Sequence, residues 1–374
     1  VTTSPIFLVV NKMYHPEIGG VETVAKALAE IIVKTNLGES FALVFNNKNS
    51  YSEDKINGVN VVRLPSIFRR KSIRFSPSYK REFLKLAISA RKVVFNFPSG
   101  QPEVHFSLYK ALPCEKICFY HADIGYGFIG YIYNQLFVRR FLDTMDRIVV
   151  TSPNIVKSSN VLKDHKEKTT VIPLFVNVSH FYPRNSNKRE YLLSLLPKTI
   201  EKIVLYIGRL VPYKGLEYLI QAMTELNEKY GLLIIGEGPK REELTRIAEK
   251  LKLKKRVIFL NHVSYEELPE YYSSADVFVL PSISRAEAFG LVALEAMACG
   301  IPVITTELGT GTSYHNIHGK TGIVVPPKDS KSLSYAIEKI CRENWKGTKS
   351  SIILSRAKEF SLNRFVEKIM EILT

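Results

Sequence analysis

Two glutamates, Glu287 and Glu295, flank the start of a helix in the stretch VLPSISRAEAFGLVALEAMACGIPVI, which runs from Val279 to Ile304. The apolar strand Val277 to Leu280 stops at Pro281-Ser282, a polar loop carries Glu287, and Phe289-Gly290-Leu291 opens a helix that holds Glu295 and ends at Gly300. A helix N-terminus after a strand presents unpaired N–H groups and a positive charge of ~0.5 e, which suits a phosphate or diphosphate. Gly290 lets a ligand approach the backbone there. Carboxylates beside such a site bind hydroxyls, because direct contact with the phosphate would repel. Two sets of hydroxyls joined by a diphosphate describe a nucleotide-sugar. Taken alone, Glu287 also fits a residue that favours a helix start, and Glu295 an ordinary helix surface residue.

A second group follows the strand Lys202 to Ile207. In Gly208-Arg209-Leu210-Val211-Pro212-Tyr213-Lys214-Gly215, Arg209 and Lys214 lie between two glycines and form a cationic clamp for a diphosphate, or a solvated surface pair. The spacing and the missing Lys-Ser/Thr ending exclude a Walker loop. Cleaving a sugar-diphosphate bond leaves negative charge on the β-phosphate. Arg209, Lys214 and the helix opening at Gly290 would stabilise it, each preorganised donor being worth ~3 kcal/mol by analogy with oxyanion sites. No DxD carboxylate pair is present, and neither a metal nor another cofactor is expected.

Four further loops sit at strand ends. Gly19-Gly20, in YHPEIGG after the first strand, allows a bulky ligand close to the backbone or makes a plain tight turn. His121 ends the strand segment ICFYH, with Asp123 two residues on. Gly236 and Gly238, with His262-Val263, end adjacent strands and would frame a nucleotide base through backbone groups. Gly125-Tyr126-Gly127-Phe128-Ile129-Gly130 spells GxGxxG, but large aromatics separate its glycines and the next strand ends in Ser152 instead of an acid. A nicotinamide cofactor is rejected on that ground.

The string from Arg209 to Glu295 resembles the signature of retaining glycosyltransferases of family 4, the glycosyl transferases group 1. The resemblance implies that Glu287 binds donor-sugar hydroxyls, that Glu295 binds the ribose, and that Arg209 and Lys214 hold the diphosphate. Phe289, Gly290 and Leu291 form the donor-binding helix start. YHADI resembles the family segment in which His121 contacts the donor sugar, its carbonyl facing the anomeric centre. Asp123 then orients the acceptor or caps a loop. The loop ELGTGTSYHN, from Glu307 to Asn316, replaces the family's more usual GG-x-PE. It resembles a branch rich in polysaccharide and lipid-linked-glycan transferases, mannosyltransferases among them, although His315 departs from that pattern.

These residues need a scaffold of strands whose ends converge. Short apolar runs alternate with helical stretches along the whole chain, first at Ile6 to Val10, Phe41 to Phe45, Val59 to Leu64, Lys92 to Phe97, Lys116 to Tyr120, Arg147 to Thr151 and Thr169 to Ile172. After a polar stretch, Pro173 to about Lys188, which reads as a linker, a second set begins at Lys202. The expected architecture is α/β: a GT-B fold of two Rossmann-like, doubly wound domains facing a cleft. Residues 1–177 form an acceptor-binding domain and 178–360 a nucleotide-sugar donor-binding domain. The amphipathic helix 361–374 crosses back onto the first, as the resemblance suggests.

At 374 residues the chain is long enough for two cores, and 45% hydrophobic with 24% charged residues describes a globular protein. No apolar run approaches the ~20 residues of a membrane span and no signal-peptide pattern opens the chain, so a cytoplasmic protein is expected. Cys114, Cys118, Cys299 and Cys341 lack metal-ligand spacing and read as buried thiols. The net charge of +16 asks for an anionic partner. It is densest from Arg63 to Lys92, where Arg69, Arg70, Lys71, Arg74, Lys80, Arg81, Lys85 and Arg91 also lie and Glu82 is the lone acid. That stretch suits an anionic membrane, making the protein peripheral on the cytoplasmic face, or is a solvated basic face. The helix Phe128 to Leu142 packs on the sheet, or offers a lipid-facing or acceptor-facing edge.

The expected function is therefore retaining transfer of a hexose, of the mannose or glucose type, from a GDP- or UDP-linked sugar to a glycan or lipid-linked glycan. A GT-B sugar-nucleotide epimerase or a phosphorylase would share the architecture. A nucleic-acid-binding protein is suggested by charge alone and lacks basic residues interleaved with stacking aromatics.

Overall fold

The computed structural model describes residues 4–17, 19–70, 73–125 and 128–374, with the side chains of 68–70 and 73 left aside. Arg69, Arg70 and Lys71 of the basic stretch, and Tyr126 and Gly127 of the glycine motif, thus lie outside the described residues or side chains. The chain divides into two compact units, Val1–Ile172 with Val366–Thr374, and Pro173–Phe365.

The first unit is built on strands β1 (Ile6–Val10), β2 (Glu39–Phe45), β3 (Ser52–Ile56), β4 (Val59–Leu64), a small hairpin of β5 (Phe68–Arg70) and β6 (Ile73–Phe75), then β7 (Ala90–Phe97), β8 (Glu115–Tyr120), β9 (Arg147–Val150) and β10 (Thr169–Val171). The main sheet runs β10-β9-β8-β7-β1-β2-β4-β3 and is parallel except where β3 meets β4. Its inner strands are apolar runs buried on both faces, as helix-covered parallel strands must be. An aromatic cluster, Tyr79, Phe83, Phe95, Tyr109 and Phe141, packs the helices Tyr79–Ala87 and Arg139–Asp143 on β7.

The second unit carries β11 (Lys202–Ile207), β12 (Tyr230–Ile235), β13 (Val257–Leu260), β14 (Val277–Leu280), β15 (Val303–Thr306) and β16 (Gly322–Val325), all parallel, in the order β13-β12-β11-β14-β15-β16. The chain winds outward from β11 in one direction and resumes at β14 in the other. That reversal between β11 and β14 is the switch point at which doubly wound sheets open a crevice for ligands. The polar stretch after Pro173 is tied into this unit, Val176 N donating to Phe360 O at 2.8 Å and Arg184 N to Ser273 Oγ at 2.8 Å.

The terminal helix Leu362–Leu373 starts in the second unit and finishes in the first. Its end is held by two cations of the basic stretch: Lys92 Nζ donates to Ile372 O at 2.8 Å and Arg91 Nη2 to Thr374 O at 2.6 Å. Lys92 also pairs with Glu115 at 3.1 Å, and Arg63 with Asp54 at 3.2 Å, so part of that charge serves the fold. All four cysteines are buried free thiols. No helix among the described residues is long and apolar enough to cross a membrane.

Candidate active site

Two loops meet at the switch point of the second unit. Leaving β11, the chain passes Gly208 and the exposed Arg209, then tightens into a turn, Pro212–Lys214, that buries Lys214. Leaving β14, it passes Ser282 and buries Glu287. Ile283 N donates to Tyr213 O at 2.8 Å and pins one loop to the other. Lys214 Nζ then lies 2.5 Å from Glu287 Oε2, with the two residues 7% and 8% exposed. Burial opposes the charge on Lys214, but the Glu287 carboxylate outweighs it and holds the ammonium above its ordinary range. Ser282 Oγ donates to the same Oε2 at 2.8 Å. Both donors use one oxygen, which leaves Oε1 of Glu287 as an acceptor.

The helix Leu291–Ala298 begins beside this pair. Gly290 caps it at φ +80, where a Cβ would stand 2.6 Å from Leu280 Cδ2, so the position requires glycine. No side chain caps the first turn; Ala293 N donates to Gly290 O at 2.9 Å, and the N–H groups of Leu291 and Val292 are left for an anion. The loop Glu307 to Asn316 acts as a strut under this opening. Thr310 Oγ1 donates to Glu287 O, Gly311 N to Ala288 O and His315 Nε2 to Phe289 O, each at 2.8 Å. Three successive carbonyls are thereby fixed. Burial lowers the His315 pKa to about 4, so the neutral ring donates through Nε2.

Farther along the helix, Tyr272 Oη donates to Glu295 Oε2 at 2.8 Å. Burial of this carboxyl raises its pKa to about 7. Gly236 and Gly238 follow β12. A Cβ on Gly236 would sit 2.2 Å from Gly208 O, so these two loops touch backbone to backbone. After β13, His262 is exposed and Val263 buried.

In the first unit, His121 follows β8 and is buried, its Nε2 3.1 Å from Asn96 Oδ1, with its pKa lowered to about 4 by burial. The ring is neutral and donates to Asn96. Asp123 accepts from Tyr120 Oη and Ser159 Oγ, both at 2.6 Å, and so ties this loop together. Gly19 stands immediately before the helix Gly20–Lys34. A Cβ there would meet only the flexible end of Glu22, so Gly19 is not sterically required.

The model of the family described as Glycosyl transferases group 1 matches residues 188–358. D-rhamnosyltransferase WbpZ of Pseudomonas aeruginosa is 37% identical over 268 residues, covering 71% of this chain and 68% of that protein. O-antigen chain mannosyltransferase C of Escherichia coli is 30% identical over 370 residues, covering 96% and 92%. The chain belongs to the glycosyl transferases group 1 family. Among solved structures, sucrose-phosphate synthase from Thermosynechococcus elongatus is similar with a TM-score of 0.77 at 24% identity over 98% of each chain. Anabaena HepE in complex with UDP and glucose gives 0.74 at 18% over 99% of each. The fold of this glycosyltransferase is accordingly GT-B.

The structure of this glycosyltransferase adds residues that its sequence did not single out. Ser282 shares Glu287 with Lys214, Tyr272 holds Glu295, and Thr310 and His315 brace the helix start. The odd GTGTS-type loop was the available signal for the last two. Arg209 and Lys214 do not form a free pair, because Lys214 is taken up by Glu287 and Arg209 remains at the surface.

Proposed function

We propose that this glycosyltransferase moves a hexose, of the mannose or glucose type, from a GDP- or UDP-linked donor to a glycan or lipid-linked glycan, with retention of configuration and without a metal. The carrying observation is the buried Lys214–Glu287 pair beside the uncapped helix at the switch point. A buried ion pair is a poor source of stability compared with packed apolar residues. Here it presents a cation, an open carboxylate oxygen and backbone N–H groups side by side, the set that a sugar diphosphate needs.

In this reading Lys214, Arg209 and the amides at Gly290 and Leu291 take the charge that develops on the departing β-phosphate. Glu287 Oε1 accepts sugar hydroxyls and Glu295 accepts the ribose hydroxyls. The bond from the anomeric carbon to the phosphate oxygen breaks as the acceptor oxygen attacks on the same face, and the acceptor proton leaves with the departing diphosphate. His121, held neutral, and Asp123 serve the sugar and acceptor side. The relatives named for mannose and rhamnose transfer support a hexose, and HepE with UDP and glucose supports a nucleotide-linked donor. The basic stretch supports work at the cytoplasmic face of an anionic membrane.

A panel of GDP- and UDP-linked sugars, assayed by release of nucleotide diphosphate with and without EDTA, tests the reading. One donor should turn over in an acceptor-dependent way, unaffected by EDTA, and NMR should show the anomeric configuration retained. Turnover that needs inorganic phosphate, or epimerisation of the donor without any acceptor, would replace it with one of the rival activities.

Glu295 adds a pH dependence with a defined sign. Its folded pKa, about 7, lies above the ordinary carboxyl value, so it keeps its proton as pH rises until that value is passed. Only the ionised form accepts from both ribose hydroxyls. Affinity for an intact nucleotide-sugar, whose diphosphate does not titrate near neutrality, should therefore rise between pH 6 and 8, by up to about tenfold per unit below the pKa. Calorimetric titration of wild type and Glu295→Gln measures it. A slope that survives in Glu295→Gln would remove this carboxyl from the effect.

A further inference from the structure

The helix that follows β8 has apolar residues on the face where solvent should be. Ile129, Phe128 and Tyr131 are 84%, 77% and 62% exposed, and Ile132 and Leu136 extend the same outer surface, while Gly130, Val138, Phe141 and Leu142 fill the inner one. A surface helix in water carries polar residues outward, and a contiguous exposed apolar patch marks an interaction site. Ile67 and Phe75, on the segment that carries the β5–β6 hairpin, are exposed as well.

These two elements share one support. Gln101, in the short helix Gln101–Val104, exchanges hydrogen bonds with the backbone of Ser76, just past the hairpin, at 2.7 and 2.8 Å, and Tyr133 Oη reaches Gly100 O at 3.1 Å. Both elements also leave strands, β4 and β8, at the C-terminal edge of the sheet, where open α/β sheets bind ligands. Cations accompany them on the same unit: Lys80, Arg81 and Lys85 are exposed on the helix Tyr79–Ala87, and Arg140 on the turn after Leu136.

We propose that the outer face of the helix from Phe128 to Leu136, with Ile67 and Phe75 on the element that shares its support, inserts into the headgroup region of an anionic lipid bilayer while exposed lysines and arginines of the same unit pair with the lipid charge. Aromatic and aliphatic residues facing the acyl boundary, with lysine and arginine at headgroup level, is the pattern of an interfacial anchor. A second copy of this chain fits less well, because at a net charge of +16 it would set like charges against each other. The inference deepens the membrane-face part of the proposed function. It gives the attachment an apolar anchor, and takes up the lipid-facing reading of the helix Phe128 to Leu142 that the sequence left open beside packing on the sheet.

The test is flotation with phosphatidylcholine vesicles, with and without 30% phosphatidylglycerol, at low and high salt, using the full chain and no nucleotide-sugar. Wild type should float with the anionic vesicles, less at high salt, and the double variant Phe128→Ser/Ile129→Ser should lose at least tenfold in bound fraction. Lys80→Gln/Lys85→Gln should weaken binding and flatten its salt dependence. The single tryptophan, Trp345, is buried, so the indole introduced by Ile129→Trp reports directly: its emission should shift to the blue on anionic vesicles and be quenched by brominated lipid. Equal flotation of wild type and the double serine variant, or no shift from Ile129→Trp, overturns the proposal. So does a wild-type dimer that ignores vesicles and that the double variant converts to monomer. Release of nucleotide diphosphate driven by a water-soluble glycan acceptor should be unchanged in the serine variant. Were that release missing from wild type too, the proposed transfer reaction would fail while the flotation result stood.

Discussion

Replacing Lys214 by methionine should cut transfer by about a thousandfold, the ~3–4 kcal/mol expected of a preorganised donor aimed at a developing anion. It should also destabilise the second unit by about 3–5 kcal/mol, because the Glu287 carboxylate is then buried with the Ser282 hydroxyl as its side-chain donor and no cation beside it. Glu287→Gln keeps an acceptor for Ser282 and for Lys214, so it should cost less in stability, yet it removes the charge that anchors both the lysine and the sugar hydroxyls. Transfer should fall to background. The double variant Lys214→Met/Glu287→Gln separates the two consequences. It leaves no unpaired buried charge, so its urea midpoint should return most of the way to wild type, and its activity should not return at all. Release of nucleotide diphosphate and the denaturation midpoint, measured on all three proteins, check this. Turnover near wild type in either variant that carries Glu287→Gln would show that the pair belongs to the fold and not to the reaction.

The chemistry of this pair was visible in residue types, but its pairing was not. Lys214 and Glu287 lie far apart in the chain and meet because β11 and β14 are neighbours across the switch point, a property of strand order that hydrophobic periodicity does not encode. The inner strands were legible because they are apolar runs bounded by loop residues. Elements without that signal were not: β3, SEDKI, is a polar antiparallel edge strand, and polar edges are what protect a sheet from pairing with another chain. The helix Leu216–Ala222 is short, and residues 223–229 form turns and a bend before β12 with no glycine or proline to mark its end. The strut from Thr310 to His315 was likewise hidden, since its bonds go to backbone carbonyls of another loop. Composition overstated the free cationic surface, because Lys92 and Arg91 close the terminal helix.

Arg209→Ala offers the opposite balance from Lys214, a large kinetic loss with no loss of fold. Its side chain is exposed and its carbonyl, not its guanidinium, is what Tyr206 Oη bonds at 3.1 Å. Truncation should therefore shift the unfolding midpoint by an amount within about 0.5 kcal/mol of wild type, as exposed positions do. The guanidinium nonetheless stands on the loop that carries Lys214, where a diphosphate would lie at the switch point. A fork of N–H donors there gains most when the sugar–phosphate bond is breaking and negative charge is collecting on the leaving oxygen. The loss should consequently appear in kcat, about a hundredfold to a thousandfold, with the donor KM changing much less. Arg209→Lys should recover a minor part, because an ammonium supplies the charge without the bidentate geometry. Steady-state kinetics with the donor identified by the sugar-nucleotide panel make the measurement. A raised KM at constant kcat would mean that Arg209 grips donor and transition state equally, and the leaving-group role would then fall to Lys214 and the helix amides.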